Sequence, residues 1–305
     1  MSTTVDDAPL RTHAARDTIW VYRPELDGLR TVAVFLVLLY HCAVTAFGGG
    51  FIGVDLFFVL SGFLVSSILL DEAWSRGTID LPRFLARRVR RLLPAALVVV
   101  VATCVISVLT STVIRRLPWV GDAQSALLYV SNWRFLFESR DYFGADIDKS
   151  PFQHFWSLSV EEQFYFVFPL LLLVVACAGR HRPPRARALA VVVAVLVVGS
   201  LASQLYWAMH DPERAYYATD ARIYQLLAGV LGALAWRRSA GRDVGDLRSG
   251  SAIRRPGSTL ALLGLLVLVA TPVVSVTASV RGLLATAVAL PLILAVMSGV
   301  DPQAR

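Results

Sequence analysis

The stretch YRPELDGLRTVAVFLVLLYHCAVTAF, residues 22–47, decides how the rest of the chain is read. Arg30 stands at its entrance, and His41 lies eleven residues further in with almost only apolar side chains between them. On an α-helix that spacing closes about three turns, so both side chains project from nearly one face. The helical rise sets His41 roughly 16 Å deeper than Arg30, about half of a ~30 Å hydrocarbon core. An ionisable group at that depth is costly and marks a functional site, unless it is a neutral histidine hydrogen-bonded inside a bundle.

Composition agrees with a membrane setting. Hydrophobic residues make up 56% of the chain and charged residues 17%. Uncharged runs at this density fit neither a soluble core nor disorder. The net charge of +7 does not point to nucleic acid, because the basic residues fall in short loops between apolar runs. There they set membrane orientation. Cys42, Cys104 and Cys177 lie singly in apolar runs, with no pairing or metal-ligand spacing, and read as small buried hydrophobes.

Working outward, residues 1–21 are polar and unpatterned and read as a cytoplasmic tail. Apolar runs follow at about 29–47, 51–71, 92–114, 156–178, 188–209, 222–236, 258–277 and 282–299. The predicted fold is an all-α, polytopic transmembrane helix bundle of about eight spans, multi-pass in the cell membrane, with residues 22–300 as one domain. Arginine-rich loops at 76–91, 180–187 and 237–256 then fall on one side, and acidic connections at 122–148 and 211–220 on the other. That is the positive-inside pattern with a cytoplasmic N-terminus. It argues against making residues 118–137 a full span. No internal repeat suggests an inverted-repeat transporter.

The polar residues in or beside the spans carry the chemistry. Asp55 sits early in the second span, and an intramembrane carboxylate needs a partner. Asp55 and Gly62 share a helical face, and the small residues Gly53, Ser61 and Gly62 suit close helix approach. The fourth span opens HFWSLSVEEQFYFVFP. Glu161 and Tyr165 are four apart and stack on one face, with Glu162 beside them and His154 just outside the run. Before the sixth span, Asp220 and Arg222 can pair with each other or hold something bound at that boundary. The run RFLARRVRR, with Arg83, Arg87, Arg88 and Arg91, suits anionic lipid or, more sharply, a phosphate-rich ligand.

Taken together, RPELDGLR with its arginine-to-histidine spacing, GFIGVDLFFVLSGF, RFLARRVRRLLP, HFWSLSVEEQFYFVFP and TDARIYQLLAG resemble the successive signatures of the acyltransferase-3 family. The resemblance covers residues 22 to about 236 in order and is closest to bacterial O-acyltransferases that modify cell-envelope polysaccharides. It implies an integral membrane enzyme that takes an acyl group, usually acetyl, from cytoplasmic acyl-CoA and delivers it to a hydroxyl of a glycan or similar acceptor. Arg30 and His41 match the family's essential arginine and histidine. Such proteins usually have ten spans, and many carry an extracytoplasmic hydrolase-like domain. Neither the last two spans nor that domain is evident here, so the sequence reads as a fragment, a truncated gene product, or a short form completed by a partner that supplies missing spans or an acceptor-side domain. That departure bears on stand-alone activity more than on ancestry.

The chemistry can be argued beside the resemblance. Acyl transfer from a thioester needs a group that accepts the proton of the attacking hydroxyl, or the acyl group itself, and histidine can do either. His41 and Arg30 are therefore the expected centre, with Glu161 or Asp55 orienting His41 or balancing its charge. Arg30, Arg83, Arg87, Arg88 and Arg91 are expected to hold acyl-CoA, a co-substrate rather than a bound cofactor. His154, Tyr165, Asp220 and Arg222 are expected on the acceptor side. No metal site is expected. The competing classes are a transporter, in which the same residues line a path, and a non-catalytic truncated relative.

Overall fold

The computed structural model of the chain describes residues 23–42, 49–138, 150–178, 185–246, 259, 263–264, 266 and 278–298. Among them every regular element is helical. The helices are α1 (Pro24–His41), α2 (Gly53–Arg76), α3 (Leu81–Thr110), α4 (Val113–Leu127) and α5 (Ser131–Phe137). They continue as α6 (Phe155–Ala178), α7 (Ala186–His210), α8 (Pro212–Tyr217), α9 (Thr219–Asp246) and α10 (Ala278–Ser298). A short 3₁₀ turn, Gly50–Ile52, leads into α2.

Local chemistry sets several helix ends. Pro24 opens α1, with Glu25 and Asp27 in the first turn and His41 in the last. The two acidic residues complement the helix dipole, and the proline occupies the position where it loses no hydrogen bond. α2 stops at Gly77, whose φ of 75° is the left-handed C-cap conformation. Asp80 caps α3 by accepting from the Arg83 backbone N–H at 3.0 Å. Asp211 caps α8 in the same way through Arg214, also at 3.0 Å.

Among the described residues, five helices are long and apolar enough to cross a membrane: α2, α3, α6, α7 and α10. α1 and α9 occupy the places of the first and sixth expected spans. α1 carries Glu25, Asp27 and Arg30, and α9 opens with Asp220, Arg222 and Gln225, which lower their apolar character. The seventh expected span, 258–277, lies mostly outside the described residues. The bundle is thus the expected all-α polytopic one. The first helix differs in its extent, ending at His41 where the sequence suggested continuation to residue 47. The described part of the polar connection before the fourth span, as far as Glu138, is itself helical but broken. Tyr129 takes a left-handed φ of 55°, splitting it into α4 and α5. Neither piece, at 15 and 7 residues, reaches across a ~30 Å core at the helical rise.

α2 is the central helix, buried over most of its length and packed by α1, α6, α9 and α10. Its contact with α9 is nearly backbone to backbone. A Cβ on Gly62 would lie 1.9 Å from the Leu226 carbonyl oxygen, and one on Gly229 would lie 2.3 Å from that of Val59. Only glycine at both positions permits this approach, the small-residue mode of membrane helix packing. By contrast, α3 and α7 expose long rows of valine and leucine, among them Val98, Val101, Val105, Val191, Val195 and Val198. Such rows suit lipid contact.

Candidate active site

His41 is the last residue of α1 and is exposed. Its Nδ1 lies 2.7 Å from the Val37 carbonyl oxygen. A carbonyl can only accept, so Nδ1 carries the hydrogen, and in the neutral ring the lone pair is on Nε2. The ring stands edge to face with His154, their centroids 4.5 Å apart at 86°. The fold therefore joins two histidines more than a hundred residues apart, because α1 ends and α6 begins at the same end of the bundle.

The turn that carries His154 is tightly held. Backbone bonds run from Gln153 to Ser150 (3.0 Å), Phe155 to Phe152 (3.0 Å) and Trp156 to Gln153 (3.2 Å). The Gln153 amide donates to the Tyr217 hydroxyl at 3.1 Å. Behind the turn lies a polar knot. Asn132 donates to the Tyr217 carbonyl (3.1 Å) and to Thr219 Oγ1 (2.9 Å). Gln163 donates to Asn132 Oδ1 (3.0 Å) and to the Tyr129 carbonyl (2.9 Å), and Thr219 donates to Gln163 Oε1 (2.6 Å). Nearby, Arg134 pairs with Asp122 at 2.7 Å.

Asp55 meets neither histidine. One of its oxygens accepts from Arg222 Nη2 and from Gln225 Nε2, both at 2.6 Å. Both charged side chains are almost wholly buried, Asp55 at 1% and Arg222 at 3% exposed. The guanidinium is surrounded by the rings of Tyr216 (5.3 Å), Trp156 (5.6 Å) and Phe58 (5.9 Å), a cation–π setting. Gly282 of α10 covers the pair; a Cβ there would lie 3.3 Å from both Asp55 Oδ1 and Arg222 Nη1. Asp220 turns the other way and accepts from Ser203 at 2.5 Å, so Asp220 and Arg222 do not pair with each other.

Deeper along α6, Glu161 accepts from Ser61 and from Tyr165. Arg88 lies over the Tyr165 ring at 4.0 Å. Among the described residues neither Glu161 nor Asp55 bonds to His41; each carboxylate has its own partners. The arginines of α3 are divided as well. Arg83, Arg87 and Arg91, four apart, form one exposed stripe, whereas Arg88 turns inward with Phe84 onto Tyr165. Arg30, on α1, is half-buried and sits 3.4 Å from Asp27. No group of three or more metal-ligating side chains occurs among the described residues.

The residues that reasoning from sequence missed are mostly neutral amides: Gln225, Asn132, Gln163 and Gln153. Gln225 was within reach, since it stands three residues after Arg222 and so shares its helical face. Asn132 lies in the first turn of the short helix α5 and Gln153 in the turn before α6, and neither carried a signal of its own. A second buried pair, Asp71 with Arg237 at 2.9 Å, joins α2 to α9 further along both helices.

Comparison with known proteins identifies the family. A family model described as "Acyltransferase domain", of the acyltransferase-3 type, matches residues 23–301. The chain is 44% identical over 217 residues to a putative peptidoglycan O-acetyltransferase, YrhL, of Bacillus subtilis, covering 70% of this chain and 33% of that protein. It is 40% identical over 216 residues to the peptidoglycan O-acetyltransferase OatA of Listeria monocytogenes, covering 70% and 34%. It is 38% identical over 219 residues to the O-acetyltransferase OatA of Staphylococcus aureus, covering 70% and 35%. This chain therefore matches about one third of the length of these relatives. No solved structure matches. With the family match spanning nearly all of the described helices, the chain belongs to the acyltransferase-3 family.

Proposed function

We propose that this chain is a membrane O-acyltransferase that moves an acetyl group from cytoplasmic acetyl-CoA to a hydroxyl of a cell-envelope glycan. The observation that carries this reading is the geometry of His41: Nδ1–H points to the Val37 carbonyl, and among the described residues Nε2 has no hydrogen-bond partner on an exposed ring. The names of the relatives, which are peptidoglycan O-acetyltransferases, support the acceptor class.

In this mechanism the acceptor hydroxyl gives its proton to His41 Nε2 as its oxygen attacks the thioester carbonyl carbon. The new C–O bond forms, the C–S bond breaks, and the thiolate of coenzyme A leaves. The proton on Nε2 then passes to that thiolate, which returns the imidazole to its starting form. Arg30 and the stripe Arg83, Arg87 and Arg91 bind the donor phosphates at the cytoplasmic end, where guanidinium forks suit phosphate oxygens. The acceptor approaches from the opposite end, beside His154 and Asp220. Asp55 keeps Arg222 neutralised beneath that surface, and Glu161, with Ser61 and Tyr165, holds the bundle's polar interior.

The test is acetyl transfer from labelled acetyl-CoA to a soluble muropeptide, in membranes from cells producing the native reading frame. His41→Ala and His41→Gln should both insert normally and lose transfer, because glutamine fills similar space but accepts no proton. Arg30→Lys keeps the charge without the planar fork and should retain partial turnover with weaker donor use. Substantial transfer by well-expressed His41→Gln protein would move the base elsewhere, with Glu161 next in line. Solute flux without acetyl turnover would favour a transporter instead.

A further inference from the structure

We propose that His154 is the positioning residue of His41, its ring fixing the direction in which the free Nε2 points. The inference rests on the reading of His41 as the base, and it adds the group that aims that base.

His41 is the last residue of α1 and its ring is exposed. From α1 itself it has the Val37 carbonyl and the edge of Tyr40, centroids 5.0 Å apart. Both belong to the helix end and move with it. Among the described residues, the ring contact from another element is His154, at 4.5 Å and 86°. An edge-to-face ring pair has a preferred geometry and so restricts rotation about the side-chain bonds.

A positioning ring must itself be presented from a fixed place, and the turn that carries the exposed His154 is held. The residues on both sides of it are anchored: Phe152 and Trp156 are buried, and Gln153 is tied to Tyr217 at 3.1 Å. Trp156 packs on Tyr216 at 4.7 Å and on the Arg222 guanidinium at 5.6 Å. The buried Asp55–Arg222 pair therefore supports the turn that presents His154. This gives an ion pair remote from His41 a route to the aim of the catalytic imidazole, through Trp156 and the turn.

The positioning role separates from other roles by a substitution pair. His154→Ala removes the ring, whereas His154→Phe keeps an edge-to-face ring with no titratable nitrogen. Using acetyl-CoA and a muropeptide in native membranes, His154→Ala should lower kcat by about a hundredfold, the scale of a misplaced reacting group. KM for acetyl-CoA should not change, because the donor phosphates bind at the other end. His154→Phe should recover most of the loss. Wild-type kcat in His154→Ala overturns the inference, and so does a His154→Phe protein as inactive as His154→Ala, which would make His154 an acid–base group in its own right. His41→Ala in parallel keeps the two claims apart. If it stays active, the reading of His41 fails. If it is inactive while His154→Ala is normal, only the positioning role fails.

Discussion

Asp55 and Arg222, 167 residues apart, meet at 2.6 Å in the interior of the bundle and tie α2 to α9. An arginine in this setting is held by one carboxylate and three aromatic faces. Removing either charge leaves the other buried and uncompensated, a loss on the order of 3–5 kcal/mol. Arg222→Gln and Asp55→Asn should therefore each lower the unfolding temperature in detergent sharply. The double replacement Asp55→Leu with Arg222→Met should be less damaging than either single change, because no orphan charge remains. Additive losses in a thermal-unfolding series would argue that the pair is uncoupled.

The α2–α9 crossing makes a second, steric prediction. Gly62→Ala places a methyl group 1.9 Å from a backbone oxygen, with no flexible side chain to move aside. The two helices must separate, and the protein should lose most of its folded yield. Gly28→Ala is the matched control: nothing lies within 4 Å of its Cβ. It sits inside α1, so alanine should stabilise by roughly 0.5–1 kcal/mol. Monodispersity in detergent reads both outcomes, and a well-folded Gly62→Ala protein would contradict the packing described here.

The division of the α3 arginines predicts divided phenotypes. Replacing Arg87 and Arg91 by glutamine should weaken acetyl-CoA binding, each lost charged contact costing on the order of 1.5–3 kcal/mol, with little change in folding. Arg88→Gln removes a cation from the Tyr165 ring and should cost about 0.5–2 kcal/mol of stability. Calorimetric titration with acetyl-CoA, paired with thermal unfolding, separates the two. Unchanged donor affinity in the Arg87/Arg91 double variant would leave that stripe as a topology and lipid-contact feature.

Orientation is checked by labelling. With Cys42, Cys104 and Cys177 replaced, a cysteine introduced at exposed Ala86 should resist a membrane-impermeant thiol reagent in intact cells and react after permeabilisation. One introduced at exposed His210, on the opposite end of the bundle, should react without permeabilisation. The reverse pattern would invert the proposed placement of donor and acceptor sides.

The order of the long described helices was legible from the chain alone, though not the short α4, α5 and α8, because a membrane helix announces itself by a long uncharged run bounded by arginine loops. His41 and Arg30 could be singled out for the same reason: a charge is conspicuous against an apolar background, and helical spacing relates the two without any tertiary knowledge. The tertiary structure decided the partnerships. Sequence neighbours such as Asp220 and Arg222 turn to different helices, since their side chains leave α9 in different directions. Asp55 finds Arg222 and Gln225 where α2 packs on α9, and Glu161 finds Ser61 where α6 packs on α2. His154 reaches His41 only because two helix ends that are distant in the chain are folded to one end of the bundle. Helical periodicity fixes which face a residue occupies; which residue lies opposite depends on how helices far apart in sequence pack, and no local pattern encodes that.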